Sequence, residues 1–206
     1  MPLSAAIAAA APPPHWLWLP WQRGAPAEVA ARDWLAPQLA CAPAAIPLLR
    51  DDHGRPRLGA PFAASDVGWS HSGDGLLLAF GHGLTLGIDL EQLRPRPRAL
   101  ELAARFFRAE EADWLATQDA DHRELAFVRL WCAKEAVLKA HGRGLAFGLH
   151  RLAFAEHDGQ LQLADCDRAL GTPAQWRLRE FAPQPGYRAA LAWRRSEQAG
   201  TTQERL

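Results

Sequence analysis

Several classes of protein are excluded by what this sequence has little of. Its 206 residues include three cysteines, Cys41, Cys132 and Cys166, with no CxxC spacing, so neither a disulfide framework nor a structural zinc site is indicated. Because 23 basic residues balance 23 acidic ones, bulk charge gives no reason to expect nucleic-acid binding. No apolar run approaches the roughly 20 residues that span a bilayer. A hydrophobic fraction of 49% is too high for general disorder, and we expect a soluble cytoplasmic protein without a membrane partner.

The two ends of the chain are expected to be flexible. Residues 1–14 are rich in alanine and proline, but unlike a secretory signal they carry no basic residue before the apolar stretch. Residues 195–206 are polar and predict a flexible tail.

Lysine is almost absent. Lys134 and Lys139 are the only two, and both lie in the segment WCAKEAVLKAHGRG. A GC-rich coding bias accounts for arginine elsewhere but not for this clustering. A compact ammonium has uses that a planar guanidinium cannot copy, so the segment is a candidate for function.

The patterns along the chain predict an α+β fold. Before residue 84 we expect strands at 15–21, 46–50 and 66–70, a helix at 26–35 that ends before Pro37, and a hairpin of strands 76–80 and 84–90 around Gly81-His82-Gly83. After Glu91 we expect helices at 99–107, 110–116 and 124–140, the last stopped by Gly142, then strands at 151–155, 161–163, 175–181 and 187–193. The chain therefore divides near residue 84 into two α+β portions of comparable size.

Asp89 and Glu91 belong to the run GIDLE at the end of a predicted strand. Side chains alternate along a strand, so both carboxylates project from one face while Ile88 and Leu90 project from the other. Adjacent carboxylates repel each other, and a hard cation with oxygen ligands such as Mg²⁺ relieves that repulsion. An ordinary solvated strand face explains the same pattern, so this motif alone leaves both interpretations open.

Glu135 has informative neighbours on the predicted helix. Trp131 lies one turn before it and Lys139 one turn after it, which places an aromatic ring, a carboxylate and an ammonium on one face. An exposed ion pair, contributing a few tenths of a kcal/mol, would explain Glu135 and Lys139 by themselves. The same face carries the apolar stripe toward the core, where a carboxylate usually has a partner.

The segment WSHSG (69–73) combines a strand end with a glycine turn. Backbone N–H groups of such a turn can hold an anion, and His71 with its flanking hydroxyls can donate to the same oxygens. An unremarkable loop is the alternative. The sequence has no Walker loop, GxGxxG, HExxH or GxSxG motif, so P-loop ATPases, zincin proteases and α/β-hydrolases lack support.

Five segments taken together resemble the Sfp-type 4′-phosphopantetheinyl transferases in order and spacing. They are GRP (54–56), WSHSG (69–73), GIDLE (87–91), RFFRAEE (105–111) and WCAKEAVLKAHGRGL (131–145). The resemblance implies transfer of the phosphopantetheine arm of coenzyme A to a serine of an apo acyl or peptidyl carrier protein, with Mg²⁺ and release of adenosine 3′,5′-bisphosphate. It also implies a monomeric pseudodimer of two similar α+β halves with the active site in the cleft between them. The expected halves are residues 1–83, with nucleotide contacts, and 84–194, with the catalytic helix.

The resemblance assigns roles to the motif residues. Asp89, Glu91 and Glu135 would bind the metal, Glu135 would also be the general base, and Lys139 would contact the pyrophosphate and neutralise the leaving group. On the nucleotide side we expect Arg55, Ser70 and His71, with His71 also taking part in catalysis. Arg32 is the candidate for a further coenzyme A contact in the first fifty residues, where basic residues are few.

Further residues are assigned less specific roles. Glu111 matches an acidic residue of the family, and Lys134 matches a lysine of structural character. We also expect a basic face for an acidic carrier, composed of Arg94, Arg96, Arg98, Arg105 and Arg108. Two alternatives stay open. One is a Mg²⁺-dependent phosphodiesterase or nucleotide hydrolase that uses the same acidic cluster, and the other is a degenerate pseudoenzyme that binds coenzyme A or a carrier protein and only regulates.

Overall fold

The computed structural model describes residues 12–196. Residues 1–11 and 197–206 lie outside the described residues, and with them most of the two predicted flexible ends. No helix in the described range is long and apolar enough to cross a membrane.

Between residues 12 and 82 the described chain forms five strands and one α-helix. They are β1 (His15–Pro20), α1 (Ala27–Leu39), β2 (Leu48–Arg50), β3 (Pro56–Leu58), β4 (Ser65–Ser72) and β5 (Gly75–His82). The predicted end of α1 before Pro37 is wrong, because the helix continues to Leu39. Pro37 lies in the last turn, where it removes a single backbone hydrogen bond.

Between residues 84 and 196 the described chain adds five strands and three α-helices. They are β6 (Leu84–Gln92), α2 (Ala99–Phe106), α3 (Ala109–Thr117), α4 (Ala120–His141), β7 (Leu152–His157), β8 (Gln160–Cys166), β9 (Arg177–Phe181) and β10 (Tyr187–Arg195). The predicted long helix is confirmed by α4. Gly142 follows it at φ 98°, a left-handed conformation that suits glycine and ends the helix.

Two three-stranded antiparallel sheets form the centre of the structure, in the orders β1-β5-β4 and β6-β10-β9. The first sheet packs one face on α1, through Ala31, Leu76 and Leu78. Its other face contributes Leu77 and Ala79 to a cluster with the alternate residues Leu86, Ile88 and Leu90 of β6. The far face of the second sheet packs on α4, which runs through the largest core cluster.

The predicted hairpin of residues 76–80 and 84–90 is wrong. β5 pairs with β1 and β4, and β6 pairs with β10, so the turn at Gly83 carries the chain from one sheet to the other. β5 is buried on both faces as the central strand, and a continuous apolar run does not reveal which neighbour it pairs with. The hairpin is instead β4–β5, closed at Gly73 and Asp74.

Each three-stranded sheet takes its strands from one side of residue 83. The division of the chain into portions of residues 1–83 and 84–194 stays a prediction. The relation of the two portions as a pseudodimer stays a prediction.

Candidate active site

Helix α4 lies directly against β6 at Gly87. A Cβ atom at Gly87 would lie 2.1 Å from the carbonyl oxygen of Ala136 and 2.4 Å from the backbone nitrogen of Ala140, so a side chain there would collide with the helix backbone. Asp89 and Glu91 follow at intervals of two residues and project from the same face of β6. The close contact therefore brings these carboxylates to the face of α4 that carries Glu135 and Lys139.

Asp89 forms the centre of a three-residue polar cluster. Its Oδ1 accepts hydrogen bonds from Lys139 Nζ at 2.6 Å and from Ser70 Oγ at 2.9 Å, and Lys139 Nζ also donates to Ser70 Oγ at 2.8 Å. Loss of water around Lys139 lowers its pKa, but the Asp89 carboxylate more than offsets this, so the net pKa is raised. Lys139 therefore stays protonated near neutral pH.

Glu135 forms no direct ion pair within residues 12–196, although the charge of Lys139 partly offsets its environment. The residue is 6% exposed, and its buried Oε1 has no hydrogen-bond partner among the described residues. Burial raises the pKa of Glu135 to about 7, and repulsion from Asp89 acts in the same direction. Glu135 therefore exchanges a proton in the neutral pH range, as a general base requires.

Glu91 is held by the segment that follows its strand. Its Oε2 accepts from Arg96 Nη2 at 2.5 Å and from Ser72 Oγ at 3.4 Å. Burial raises the pKa of Glu91, as does the neighbouring Asp89, with Arg96 in partial opposition. Two of the three predicted metal carboxylates thus have a cation of the protein as partner.

The three carboxylates suit a hard cation in their chemistry. Asp89 Oδ2 and Glu135 Oε1 are buried oxygens without a hydrogen-bond partner in the described part of the chain, which is costly unless a cation compensates them. Within residues 12–196, no three acidic, histidine or cysteine side chains are grouped so that they would hold a metal as they stand. Lys139 and Arg96 contact Asp89 and Glu91 instead.

Two cavities flank this cluster. One, of about 250 Å³, is lined by residues that include Arg55, Trp69, Lys139 and Arg143. The other, of about 840 Å³, is lined by residues that include Trp21, His71, Glu91 and Arg96. Each is lined by residues from both sides of residue 83.

Comparisons with known proteins agree with the motifs. The family model of the 4′-phosphopantetheinyl transferase superfamily matches residues 85–192. The chain belongs to this superfamily. It is an enzyme, a 4′-phosphopantetheinyl transferase, and the predicted resemblance is confirmed.

Three relatives define the extent of the similarity. The transferase is 32% identical over 182 residues to slr0495 of Synechocystis sp., which is provisionally named a 4′-phosphopantetheinyl transferase. This match covers 84% of the present chain and 72% of the relative. It is 33% identical over 164 residues to 4′-phosphopantetheinyl transferase HetI of Nostoc sp., covering 78% and 66%. It is 32% identical over 123 residues to 4′-phosphopantetheinyl transferase Sfp of Bacillus subtilis, covering 59% and 52%.

His71 lines the same cavity as Glu91 and packs against a residue that sequence reasoning missed. Its imidazole stacks on the indole of Trp21, with ring centroids 4.2 Å apart and planes 20° from parallel. Trp21 directly follows β1 and donates its backbone N–H to Asp74 O at 2.7 Å. The transferase thus presents His71 to the larger cavity from an aromatic support.

Arg55 lines the smaller cavity, but its guanidinium has internal partners. It forms a buried ion pair with Asp66 and donates to the carbonyls of Leu86 and Lys139, each at 2.8 Å. These partners lie on β4, β6 and α4, so Arg55 ties both sheets of the transferase to the catalytic helix. Its contact with a nucleotide phosphate stays a prediction, because the phosphate would have to compete with these three internal acceptors for the guanidinium.

Arg32 is not brought together with the other predicted residues. Its guanidinium donates to the carbonyls of Ile46 and Leu48, which ties α1 to the start of β2. Arg32 lines neither cavity beside the cluster, so the structure adds no support to its predicted role.

The five arginines expected to form a basic face have different surroundings. Arg96 pairs with Glu91, Arg98 with Glu101 at 2.6 Å, and Arg108 with Asp165 at 2.7 Å. Arg94 lines the larger cavity, and Arg105 lies over the ring of Phe106. Ion pairing therefore reduces the positive charge available to a carrier, and the basic face stays a prediction.

Lys134 points into the core of the transferase. It is fully buried, pairs with Glu111 at 2.7 Å and donates to the carbonyls of Leu149 and Leu152 at 3.0 and 2.6 Å. Burial lowers the pKa of Lys134 to about 8, partly offset by Glu111. The two lysines of the motif thus separate, one into the core and one into the site.

Proposed function

We propose that the transferase moves the 4′-phosphopantetheine arm of coenzyme A to a serine hydroxyl of an apo acyl or peptidyl carrier protein and releases adenosine 3′,5′-bisphosphate. The observation that carries this proposal is that Asp89 Oδ2 and Glu135 Oε1, near the Lys139 ammonium, are buried and have no hydrogen-bond partner within residues 12–196. This combination supplies a cation site, a base and an acid within one cluster.

Asp89, Glu91 and Glu135 would hold Mg²⁺. When bound, the cation supplies neutralisation of charge on the pyrophosphate oxygens of coenzyme A. The orphaned oxygens support this assignment because a hard cation is the partner that they lack.

Glu135 is the proposed base for the carrier serine, directly or through a water. In the metal-free protein burial raises the pKa of Glu135 to about 7, so its carboxylate is more basic than that of an ordinary glutamate. This pKa would be lower with Mg²⁺ bound, which favours the ionised form that accepts the proton. Glu135 lies one helical turn from Lys139, so the proposed base would lie beside the ammonium that we propose to face the phosphate.

Lys139 is the proposed partner of the leaving group. Its raised pKa keeps it as an ammonium, which donates hydrogen bonds to the phosphate oxygens as negative charge develops on them. Ser70 shares a hydrogen bond with Lys139 and would orient it. His71, in the larger cavity, and Arg55, in the smaller, would face the nucleotide.

The experiment is intact-mass measurement of apo acyl and peptidyl carriers after incubation with the transferase, coenzyme A and Mg²⁺. A gain of one phosphopantetheine arm is expected, lost with Glu135→Gln and without metal. Glu110→Gln, an exposed carboxylate on α3, is the matched control and should retain activity.

Two other outcomes would overturn the proposal. Cleavage of coenzyme A without any carrier would identify a hydrolase. Binding of coenzyme A with no mass gain on either kind of carrier would identify a coenzyme A-binding pseudoenzyme.

A further inference from the structure

We propose that Arg96 is an internal counter-ion of the acidic site, which competes with the divalent cation for Glu91 and, once released, contacts the anionic part of the substrate. The inference rests on the proposed function, because it takes Glu91 as a metal ligand. It couples metal binding to substrate binding through one side chain of the segment after β6.

The contact between Arg96 and Glu91 is direct and partly shielded from water. Arg96 Nη2 lies 2.5 Å from Glu91 Oε2, and the two side chains are 22% and 19% exposed. Ser72 Oγ approaches the same oxygen at 3.4 Å. A cation that binds Glu91 must therefore compete with a guanidinium already in contact with it.

The backbone holds Arg96 in this place. Arg96 stands between Pro95 and Pro97, each of which has a fixed φ and keeps the residue before it extended. Arg96 itself is therefore restricted to extended conformations. Its guanidinium can leave Glu91 only by side-chain rotation, so it remains beside the site when displaced.

Once released from Glu91, the Arg96 guanidinium can bind an anion in the adjacent cavity. Arg96 lines the cavity of about 840 Å³ that also contains His71, Arg23 and Arg94, where an anionic group would meet several donors. Its buried Nε has no hydrogen-bond partner within the described residues, so the pairing with Glu91 leaves a donor unused. A phosphate oxygen would satisfy that donor.

Coupling of this kind is reciprocal. If Mg²⁺ frees Arg96 for the substrate, Mg²⁺ raises the affinity for coenzyme A and coenzyme A raises the affinity for Mg²⁺ by the same factor. Removal of the guanidinium should therefore tighten Mg²⁺ binding in the absence of coenzyme A. It should also reduce the increase in affinity that each ligand causes for the other.

The test compares Arg96→Gln with Arg94→Gln by calorimetric titration with Mg²⁺ in the absence of coenzyme A. Arg94 is the matched control, since it lies on the same segment and lines the same cavity but forms no ion pair in the described structure. Arg96→Gln is expected to tighten Mg²⁺ binding about five-fold or more, and Arg94→Gln less than about two-fold. In a second titration, Mg²⁺ should raise the affinity for coenzyme A less in Arg96→Gln than in the unaltered protein.

Three results would overturn the inference: unchanged or weaker Mg²⁺ binding by Arg96→Gln, equal tightening by Arg94→Gln, or an undiminished effect of Mg²⁺ on coenzyme A binding. A circular dichroism melt confirms that each variant is folded. Because the titrations require no turnover, absence of transfer in the carrier assay would reject the proposed function and leave the metal result to be judged separately.

Discussion

The Nε of Arg55 donates a 2.8 Å hydrogen bond to the backbone carbonyl of Lys139. A residue of the turn before β3 thus holds the last turn of the helix that carries the candidate ammonium. The same guanidinium pairs with Asp66, whose Oδ2 also accepts from the backbone N–H of Leu86 at 2.8 Å. The two sheets and α4 meet at this one side chain.

Arg55→Lys is expected to destabilise the protein by about 1–3 kcal/mol, because an ammonium cannot serve a carboxylate and two carbonyls in the planar geometry of a guanidinium. Urea unfolding measures the effect. Arg57→Lys, at a half-exposed ion pair with Asp51, should stay within about 0.5 kcal/mol. Full stability of Arg55→Lys with weakened coenzyme A binding would instead assign Arg55 to the phosphate.

Gly87→Ala is expected to displace α4 from β6, since the added methyl group would lie 2.1 Å from Ala136 O. Loss of stability of about 1–3 kcal/mol and loss of transfer should follow together. Gly68→Ala on β4 is the control, because its Cβ would meet its nearest neighbour, Leu86 Cδ1, at an ordinary 3.5 Å. Unfolding curves measure the stability of both variants, and the carrier assay measures their transfer activity. Equal stability and activity of the two variants would contradict the prediction.

Lys134→Met is expected to lower the free energy of unfolding by about 3–5 kcal/mol, because Glu111 would remain buried without a counter-ion. Lys139→Met also leaves a carboxylate, Asp89, without its cation, but there added Mg²⁺ should restore stability while transfer stays lost. Thermal melts with and without Mg²⁺ distinguish the two. A stable but inactive Lys134→Met protein would place Lys134 in the chemistry.

Local regularity made much of the candidate site predictable. The two-residue period of a strand places Asp89 and Glu91 on one face, and the helical period places Glu135 one turn from Lys139. The contacts that cross between elements were not predictable in this way. Asp66 meets Arg55 only because β3, β4 and β6 pack together. Arg96 reaches Glu91 through the irregular segment after β6, where no helix or strand period places side chains.

The same limit explains the error in the sheets. An apolar run such as β5 identifies a buried strand but not its partner, and the glycine turn at residue 83 is equally suited to a hairpin and to a crossing between sheets. Trp21 escaped notice because it stands only three residues beyond Trp18, which packs against the core, and its stacking on His71 depends on the pairing of β1 with β5.

Glu135 is expected to make the stability of the metal-free protein depend on pH. The pKa of its carboxyl is ordinary, near 4.5, in the unfolded chain and about 7 in the folded protein. Between these values the folded protein binds more protons than the unfolded chain, so stability falls as pH rises. Glu135→Gln, which does not ionise, should be more stable than the unaltered protein above pH 7, by up to about 3 kcal/mol.

Urea unfolding from pH 5 to pH 8 with a chelator present measures this effect. Part of the slope should persist in Glu135→Gln, because the pKa of Glu91 is also raised. Glu110→Gln should follow the unaltered protein throughout. Parallel curves for Glu135→Gln and the unaltered protein would show that Glu135 titrates in its ordinary range.

Trp21 is expected to act on coenzyme A binding through His71. The stacked indole restricts the imidazole to one orientation, so Trp21→Ala should raise the KM for coenzyme A several-fold with little change in kcat. Trp21→Phe should restore most of the lost affinity.

In a double variant, His71→Ala should add little to the effect of Trp21→Ala on the KM, because the two rings act as a unit. Trp16→Phe is the control, since Trp16 stacks on Phe181, away from the cavity. The His71 ring protons should also shift in the NMR spectrum of Trp21→Ala as the ring current of the indole is removed. Independent, additive effects of the two alanine variants would mean that Trp21 contacts the substrate itself and does not position His71.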